Sequence, residues 1–153
     1  MSYSKQMKRL LALSGVLIWM FFIFYLSHQP ATVSSELSSG VTERILHTID
    51  STTPFLDFAG FDLHSFIRKA AHFFAYFVLG CLLLNAFRQY DWSSRSVYGL
   101  ALGVSVAFAI SDEYHQLFIP GRSGEVKDVL IDSSGAIVGI SLFLYFLKRR
   151  SKQ

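Results

Sequence analysis

Ser96-Val97-Tyr98-Gly99-Leu100-Ala101-Leu102-Gly103-Val104-Ser105-Val106-Ala107-Phe108-Ala109-Ile110-Ser111 is a run of sixteen residues without a charge, and Asp112-Glu113 follow it at once. A hydrocarbon core about 30 Å thick requires about 20 helical residues. A helix built on this run must stop short, or carry both carboxylates, and Gln116 with them, into the edge of a membrane. Carboxylates are costly there and occur where they are paired or functional. Three more apolar blocks lie outside the run, Leu10–Leu26, Ala70–Phe87 and Val129–Leu147, in a chain of 153 residues that is 52% hydrophobic. Four such blocks predict an all-α integral membrane protein, a four-helix bundle rather than a soluble domain. The expected organisation is one membrane domain over residues 1–153, with transmembrane helices at about 10–26, 66–87, 96–116 and 128–147.

The charges are sorted along the chain. Lys5, Lys8 and Arg9, then Arg88 and Arg95, then Lys148, Arg149, Arg150 and Lys152 form three basic clusters. Four helices place all three on one side, which the positive-inside rule makes cytoplasmic, with both termini inside. Ten of the eleven acids fall in or beside the other two connections; Asp91 is the exception. The formal net charge of +3 is thus a basic rim suited to anionic headgroups, not a nucleic-acid surface. Cys81, the only cysteine, sits mid-helix and can form no intramolecular disulfide. The first block is long for a signal-peptide core and no A-x-A-like cleavage site follows it, so a retained anchor is expected.

Ser27-His28-Gln29-Pro30 closes the first block, and Pro30 stops its helix. The connection that follows is patterned. Val33, Leu37, Val41, Ile45 and Ile49 recur every four residues, with Glu36, Glu43 and Asp50 on other faces. This periodicity predicts an extra amphipathic surface helix at about 33–49. Pro54-Phe55-Leu56-Asp57-Phe58-Ala59-Gly60-Phe61 reads as an interfacial aromatic turn. Gly99-x-x-x-Gly103 and Gly135-x-x-x-Gly139 offer flat faces for close helix packing.

Three helices present polar stripes toward one end of the bundle. Lys69, His72 and Tyr76 are spaced i, i+3, i+7; Asp112 and Gln116 are i, i+4, with Glu113 three residues before Gln116; Asp128 and Asp132 are i, i+4. Lipid-facing charges would lack partners, so these stripes should face one another. Between the last two helices, Phe118-Ile119-Pro120-Gly121-Arg122-Ser123-Gly124-Glu125 makes a tight loop that places Arg122 to reach back over the cluster. One account is a self-satisfying network in which Arg68, Lys69 and Arg122 neutralise Asp112, Glu113, Asp128 and Asp132 and set helix register. A second is an anionic headgroup held by those cations, with Arg122 as its bidentate partner. A metal held by His72, His115, Asp112 and Glu113 is weighed against. No H-E-x-x-H occurs and His115 projects off the stripe, so no metal or other cofactor is expected. Acid–base chemistry would fall to His72, Glu113 or Asp112, but no nucleophile motif, phosphate loop or paired-carboxylate signature supports a reaction.

Lys69-x-x-His72-x-x-x-Tyr76, Asp112-Glu113-x-x-Gln116, Pro120-Gly121-Arg122, Asp128 and Asp132-x-x-Gly135 with Gly139, in that order, resemble the VanZ-like family, as does Ser27-His28-Gln29-Pro30. The resemblance covers roughly residues 15–147. It departs at Asp132, where the family pattern usually carries Asn. The resemblance implies a multi-pass protein of the bacterial plasma membrane, linked in some members to tolerance of teicoplanin, a lipid-bearing glycopeptide. It implies no known reaction. The expected function is non-enzymatic binding of an amphiphile, a membrane lipid or lipoglycopeptide, at the outer leaflet. Its site would comprise Arg68, Lys69, His72, Tyr76, Asp112, Glu113, Gln116, Arg122, Asp128 and Asp132. The alternatives are a membrane enzyme acting on a lipid-linked phosphate or peptide, and a structural partner whose Gly135 and Gly139 pack on another protein's helix.

Overall fold

A computed structural model describes residues 3–52 and 63–150, and within them every regular element is a helix: α1 (Tyr3–Ser27), α2 (Ala31–Thr52), α3 (Leu63–Phe87), α4 (Ser94–Gln116) and α5 (Val126–Arg150). The expected aromatic turn at 54–61 lies outside the described residues, as do the side chains of Leu37, Ile45 and Ile49. Four helices are long and apolar enough to cross a membrane: Ser4–Ser27, Ser65–Phe87, Ser94–Gln116 and Val126–Arg150. Each runs past the apolar block that announces it. For α4 this settles the choice posed by its short apolar run, because the helix continues through Asp112 and Glu113 to Gln116.

α3 is the centre of the bundle and packs on α1, α4, α5 and α2. Its buried face carries Tyr76, Leu79, Leu83, Leu84 and Ala86, which meet Val16 and Ile23 of α1, Val97, Ala101 and Ala109 of α4, and Ile140 of α5. The closest approach is between α3 and α5. A Cβ on Gly135 would collide with the Phe73 carbonyl, and one on Gly139 with the Phe77 carbonyl. Gly80 likewise faces the Ala136 carbonyl. Small residues let the two backbones touch, which is how membrane helices gain packing without a hydrophobic drive between them.

Two sequence expectations are corrected here. Gly99 and Gly103 have no heavy atom within 4 Å of the position a Cβ would take, so only the α5 pair serves as a packing face. Gly135 and Gly139 are occupied by α3, which removes them as a docking face for another protein's helix.

The helix ends are fixed by local chemistry. Ser93 caps α4, its hydroxyl accepting from Ser96 N at 3.1 Å. At the same end of the bundle, Lys5 pairs with Asp91 at 3.2 Å, and Arg9 lies 4.4 Å from the Tyr90 ring centre while donating to the Gln89 carbonyl. At the opposite end Pro30 separates α1 from α2, and Ala31 N donates to the Pro120 carbonyl at 3.2 Å. That bond ties α2 to the α4–α5 loop. Gly121 turns this loop with φ +76, a region that side chains other than hydrogen rarely occupy.

Candidate functional site

The end of the bundle that carries α2 also collects the polar stripes. Asp112 and Glu113 come from the last turn of α4, Asp128 and Asp132 from the first turns of α5, and His72 and Tyr76 from α3. The four carboxylates are 2%, 4%, 8% and 0% exposed in the order Asp112, Glu113, Asp128, Asp132, so they point inward rather than into solvent or lipid.

Their partners divide into two sets. Ser27 Oγ donates to Asp112 Oδ2 at 2.6 Å. Gln116 Nε2 donates to Glu113 Oε1 at 3.0 Å, and the Glu125 backbone N–H donates to Glu113 Oε2 at 2.9 Å. The α4–α5 loop is therefore pinned on the carboxylate of the helix before it. Gly124 allows this, since a Cβ there would strike the Glu113 carbonyl. The second set is nearly without partners. His72 Nδ1 lies 3.3 Å from Asp132 Oδ1; apart from that contact, both Asp132 oxygens, Asp112 Oδ1, Asp128 Oδ1 and the Tyr76 hydroxyl have no hydrogen-bond partner among the described residues. Buried polar groups are satisfied in the great majority of cases. Five such atoms at one end of a bundle mark a place where something polar belongs.

Arg122 is committed to backbone and amide, not to carboxylate. It donates through Nε to the Gln29 carbonyl at 3.0 Å, through Nη2 to the Leu26 carbonyl at 3.2 Å and through Nη1 to Gln116 Oε1 at 3.2 Å. Partial burial, with Arg68 nearby, draws its pKa below the ordinary guanidinium value. Among the described residues no Lys or Arg forms an ion pair with the four carboxylates, and the ion pair at the cluster is His72–Asp132. The cation–carboxylate network, one of the accounts the sequence allows, is not formed as Lys or Arg ion pairs among the described residues; Glu113 and Asp112 are held by hydrogen bonds, and the Arg122 guanidinium closes the α1 end.

Two cavities adjoin the cluster. One, of about 220 Å³, runs between α1, α2 and α3 over Ile23, Leu26, Val41, Ile67, Ala71 and Ala75. The other, of about 40 Å³, is polar and includes Ser35, Gln116, Ser123 and Asp128. Ser34, Arg68, His72 and Arg122 line both, so the two meet along these side chains. Lys69 lines neither, although it shares the stripe of His72 and Tyr76. Arg68, one residue earlier, is exposed and lies on both.

Two features escaped the sequence reading. Ser27 belongs to a motif that carries the family resemblance but is not among the expected site residues, yet it is 4% exposed and holds Asp112. His115 leaves the cluster, as its helical angle suggested, but it meets His28, with His28 Nδ1 at 3.1 Å from His115 Nε2 and the Phe24 ring 4.6 Å from the His115 ring. The metal set disfavoured on sequence grounds, His72, His115, Asp112 and Glu113, is not brought together. A different trio is: His72, Glu113 and Asp132 offer ligand atoms within 4.8 Å of one another.

Similarity to known proteins agrees with this architecture. A curated relative, the "Uncharacterized membrane protein YwnJ" of Bacillus subtilis (strain 168), is 43% identical over 91 residues, or 58% of this chain and 56% of that protein. The matched region thus spans little more than half of the relative. No solved structure matches. The family model described as VanZ/LLP1 matches residues 13–148, from within α1 to near the end of α5. This membrane protein, with its four apolar helices and a polar cluster at one end, belongs to the VanZ/LLP1 family.

Proposed function

We propose that the chain binds an anionic amphiphile in the bacterial plasma membrane, with the headgroup among Arg68, Arg122 and Ser34 and an apolar chain between α1, α2 and α3. One observation carries this reading: the apolar and polar cavities share Ser34, Arg68, His72 and Arg122. That is the division an amphiphile requires, since pockets combine an apolar lining with a few placed polar groups. Of the two guanidinium groups that line both cavities, Arg68 is the better placed to engage a phosphate or carboxylate, because the Arg122 nitrogens each donate already to an acceptor. Asp112, Glu113, Gln116 and Asp128 orient this end, and His72 and Tyr76 form its inner wall. In the orientation that the basic clusters favour, the site lies in the outer leaflet, where a lipid or a lipoglycopeptide such as teicoplanin would enter.

The test is native mass spectrometry of the full chain with phosphatidylglycerol or phosphatidylcholine. Retention of the anionic lipid, weakened about tenfold by Arg68→Gln at unchanged thermal stability, supports the reading. Equal retention of both lipids, or no effect of Arg68→Gln, overturns it. In a sensitive Gram-positive host, teicoplanin tolerance with vancomycin susceptibility unchanged would identify the amphiphile class.

A second reading, a membrane enzyme on a lipid-linked phosphate or peptide, is favoured by His72 lining both cavities with Asp132 behind it at 3.3 Å. A carboxylate that orients an imidazole is a common base arrangement. Turnover abolished by His72→Gln with lipid retention intact would favour it.

A further inference from the structure

We propose that His72, Glu113 and Asp132 hold a divalent first-row cation, of the Zn²⁺ or Mn²⁺ class, between α3, α4 and α5. The proposal does not rest on the amphiphile reading.

Four observations carry it. The three side chains come from three helices, and their ligand atoms lie within 4.8 Å of one another. Around a shared ion with bonds of about 2.0–2.2 Å, ligand atoms stand roughly 3.5 Å apart, so the helices need to close only slightly. Next, Asp132 is fully buried and, apart from the 3.3 Å contact of Oδ1 with His72, neither oxygen has a hydrogen-bond partner among the described residues; the fully buried Tyr76 hydroxyl has none there either. Such oxygens fit the inner and outer coordination of an ion.

The third observation is the charge balance. Asp112, Glu113, Asp128 and Asp132 lie close enough to act electrostatically on one another or on His72, and Arg122 acts on Asp112 and Glu113, yet among the described residues no Lys or Arg forms an ion pair with any of the four. One guanidinium and one imidazole acting on four buried carboxylates leave an excess of negative charge, which is unfavourable and which a bound divalent cation offsets. Finally, Glu113 is aimed from behind. Gln116 Nε2 and the Glu125 N–H fix one lone pair of each oxygen and leave the others available. Hydrogen bonds of this kind hold metal ligands in place.

One imidazole and two carboxylates form a mixed nitrogen and oxygen donor set, which suits Zn²⁺ or Mn²⁺ better than an all-oxygen Ca²⁺ cage. Three protein ligands leave at least one coordination position open. His72 lines both cavities, so that position lies on the side from which a small molecule or headgroup would arrive.

The test uses the full chain in detergent micelles, stripped with chelator, reloaded with Zn²⁺ or Mn²⁺ and desalted before elemental analysis. About one equivalent retained by the wild type, with affinity reduced at least tenfold by Asp132→Asn and by Glu113→Gln, supports the site. His115→Ala should retain the metal in full, because the His28–His115 pair lies outside the trio. Retention no higher in the wild type than in Asp132→Asn overturns the proposal, as does loss of the metal in His115→Ala. Should the carboxylate variants fail to fold, X-ray absorption on the loaded wild type decides. A shell of nitrogen and oxygen with a single imidazole supports the trio; two imidazoles, or sulfur from Cys81, exclude it.

Discussion

The Ser27 hydroxyl donates to Asp112 Oδ2 at 2.6 Å, joining the last residue of α1 to the last turn of α4 through a contact shielded from solvent. Its other neighbour is Gln116 Nε2 at 3.4 Å, which extends the chain of polar groups to Glu113 and Arg122. One small hydroxyl thus connects the exit of the first helix to the whole cluster.

Ser27→Ala removes the short donor from a buried carboxylate, whose Oδ2 then keeps only Gln116 at 3.5 Å. Leaving a buried acceptor unsatisfied costs about 1–3 kcal/mol. The expected result is a thermal midpoint lowered by several degrees in detergent, with Ser27→Thr recovering most of the loss. A midpoint unchanged by Ser27→Ala would show that Asp112 is protonated or otherwise satisfied.

The two Gly-x-x-x-Gly pairs make opposite predictions from one motif. Gly135→Ala or Gly139→Ala pushes a methyl into a carbonyl of α3, and overpacking of this kind costs typically about 1–3 kcal/mol. Gly99→Ala and Gly103→Ala meet nothing and should leave stability unchanged. Thermal melts of the four variants check this, and equal effects across both pairs would mean that the α3–α5 approach is looser than described.

That contrast also shows what a single sequence can carry. The apolar blocks specify four helices because hydrocarbon length fixes how many residues must be helical. Glycine spacing specifies a flat face and not which neighbour fills it, so Gly99 and Gly135 read alike. The stripe of Lys69, His72 and Tyr76 gives a helical angle correctly, but adjacent residues differ by about 100°. Whether Lys69 or Arg68 meets the cavity depends on where α2 rests, which no local pattern encodes. The trio of His72, Glu113 and Asp132 has no linear spacing at all, because each member comes from a different helix. Asp132 is visible as a departure from the family pattern; that its carboxylate meets His72 alone among the described residues is not.

Arg122→Lys tests whether the guanidinium is a brace. Three of its nitrogens reach three acceptors, the Leu26 and Gln29 carbonyls and the Gln116 amide. A lysine concentrates its donors on one nitrogen and cannot span all three. The charge survives, yet the α1–loop connection should loosen. Hydrogen exchange at the amides of 26–31 and 117–125 should rise severalfold, while exchange in the α3–α5 core stays unchanged. Unaltered exchange near Ala31 would reduce Arg122 to a point charge.

Membrane orientation follows from how the charges divide between the two ends. Among the described residues, eight Lys and Arg (Lys5, Lys8, Arg9, Arg88, Arg95, Lys148, Arg149 and Arg150) belong to the end carrying the α3–α4 turn, with Asp91 as its one acid. Five others (Arg44, Arg68, Lys69, Arg122 and Lys127) share the opposite end with eight of the described acids. Lys and Arg in short connections set topology more strongly than acids do, so the first end should face the cytoplasm. In a Cys81→Ser background, Ser123→Cys should react with a membrane-impermeant thiol reagent in intact cells. Ser94→Cys, exposed at the start of α4, should react only after permeabilisation. The reverse pattern would turn the cavities toward the cytoplasm. A lipoglycopeptide arriving from outside could then not reach Arg68, and the ligand would have to come from the inner leaflet.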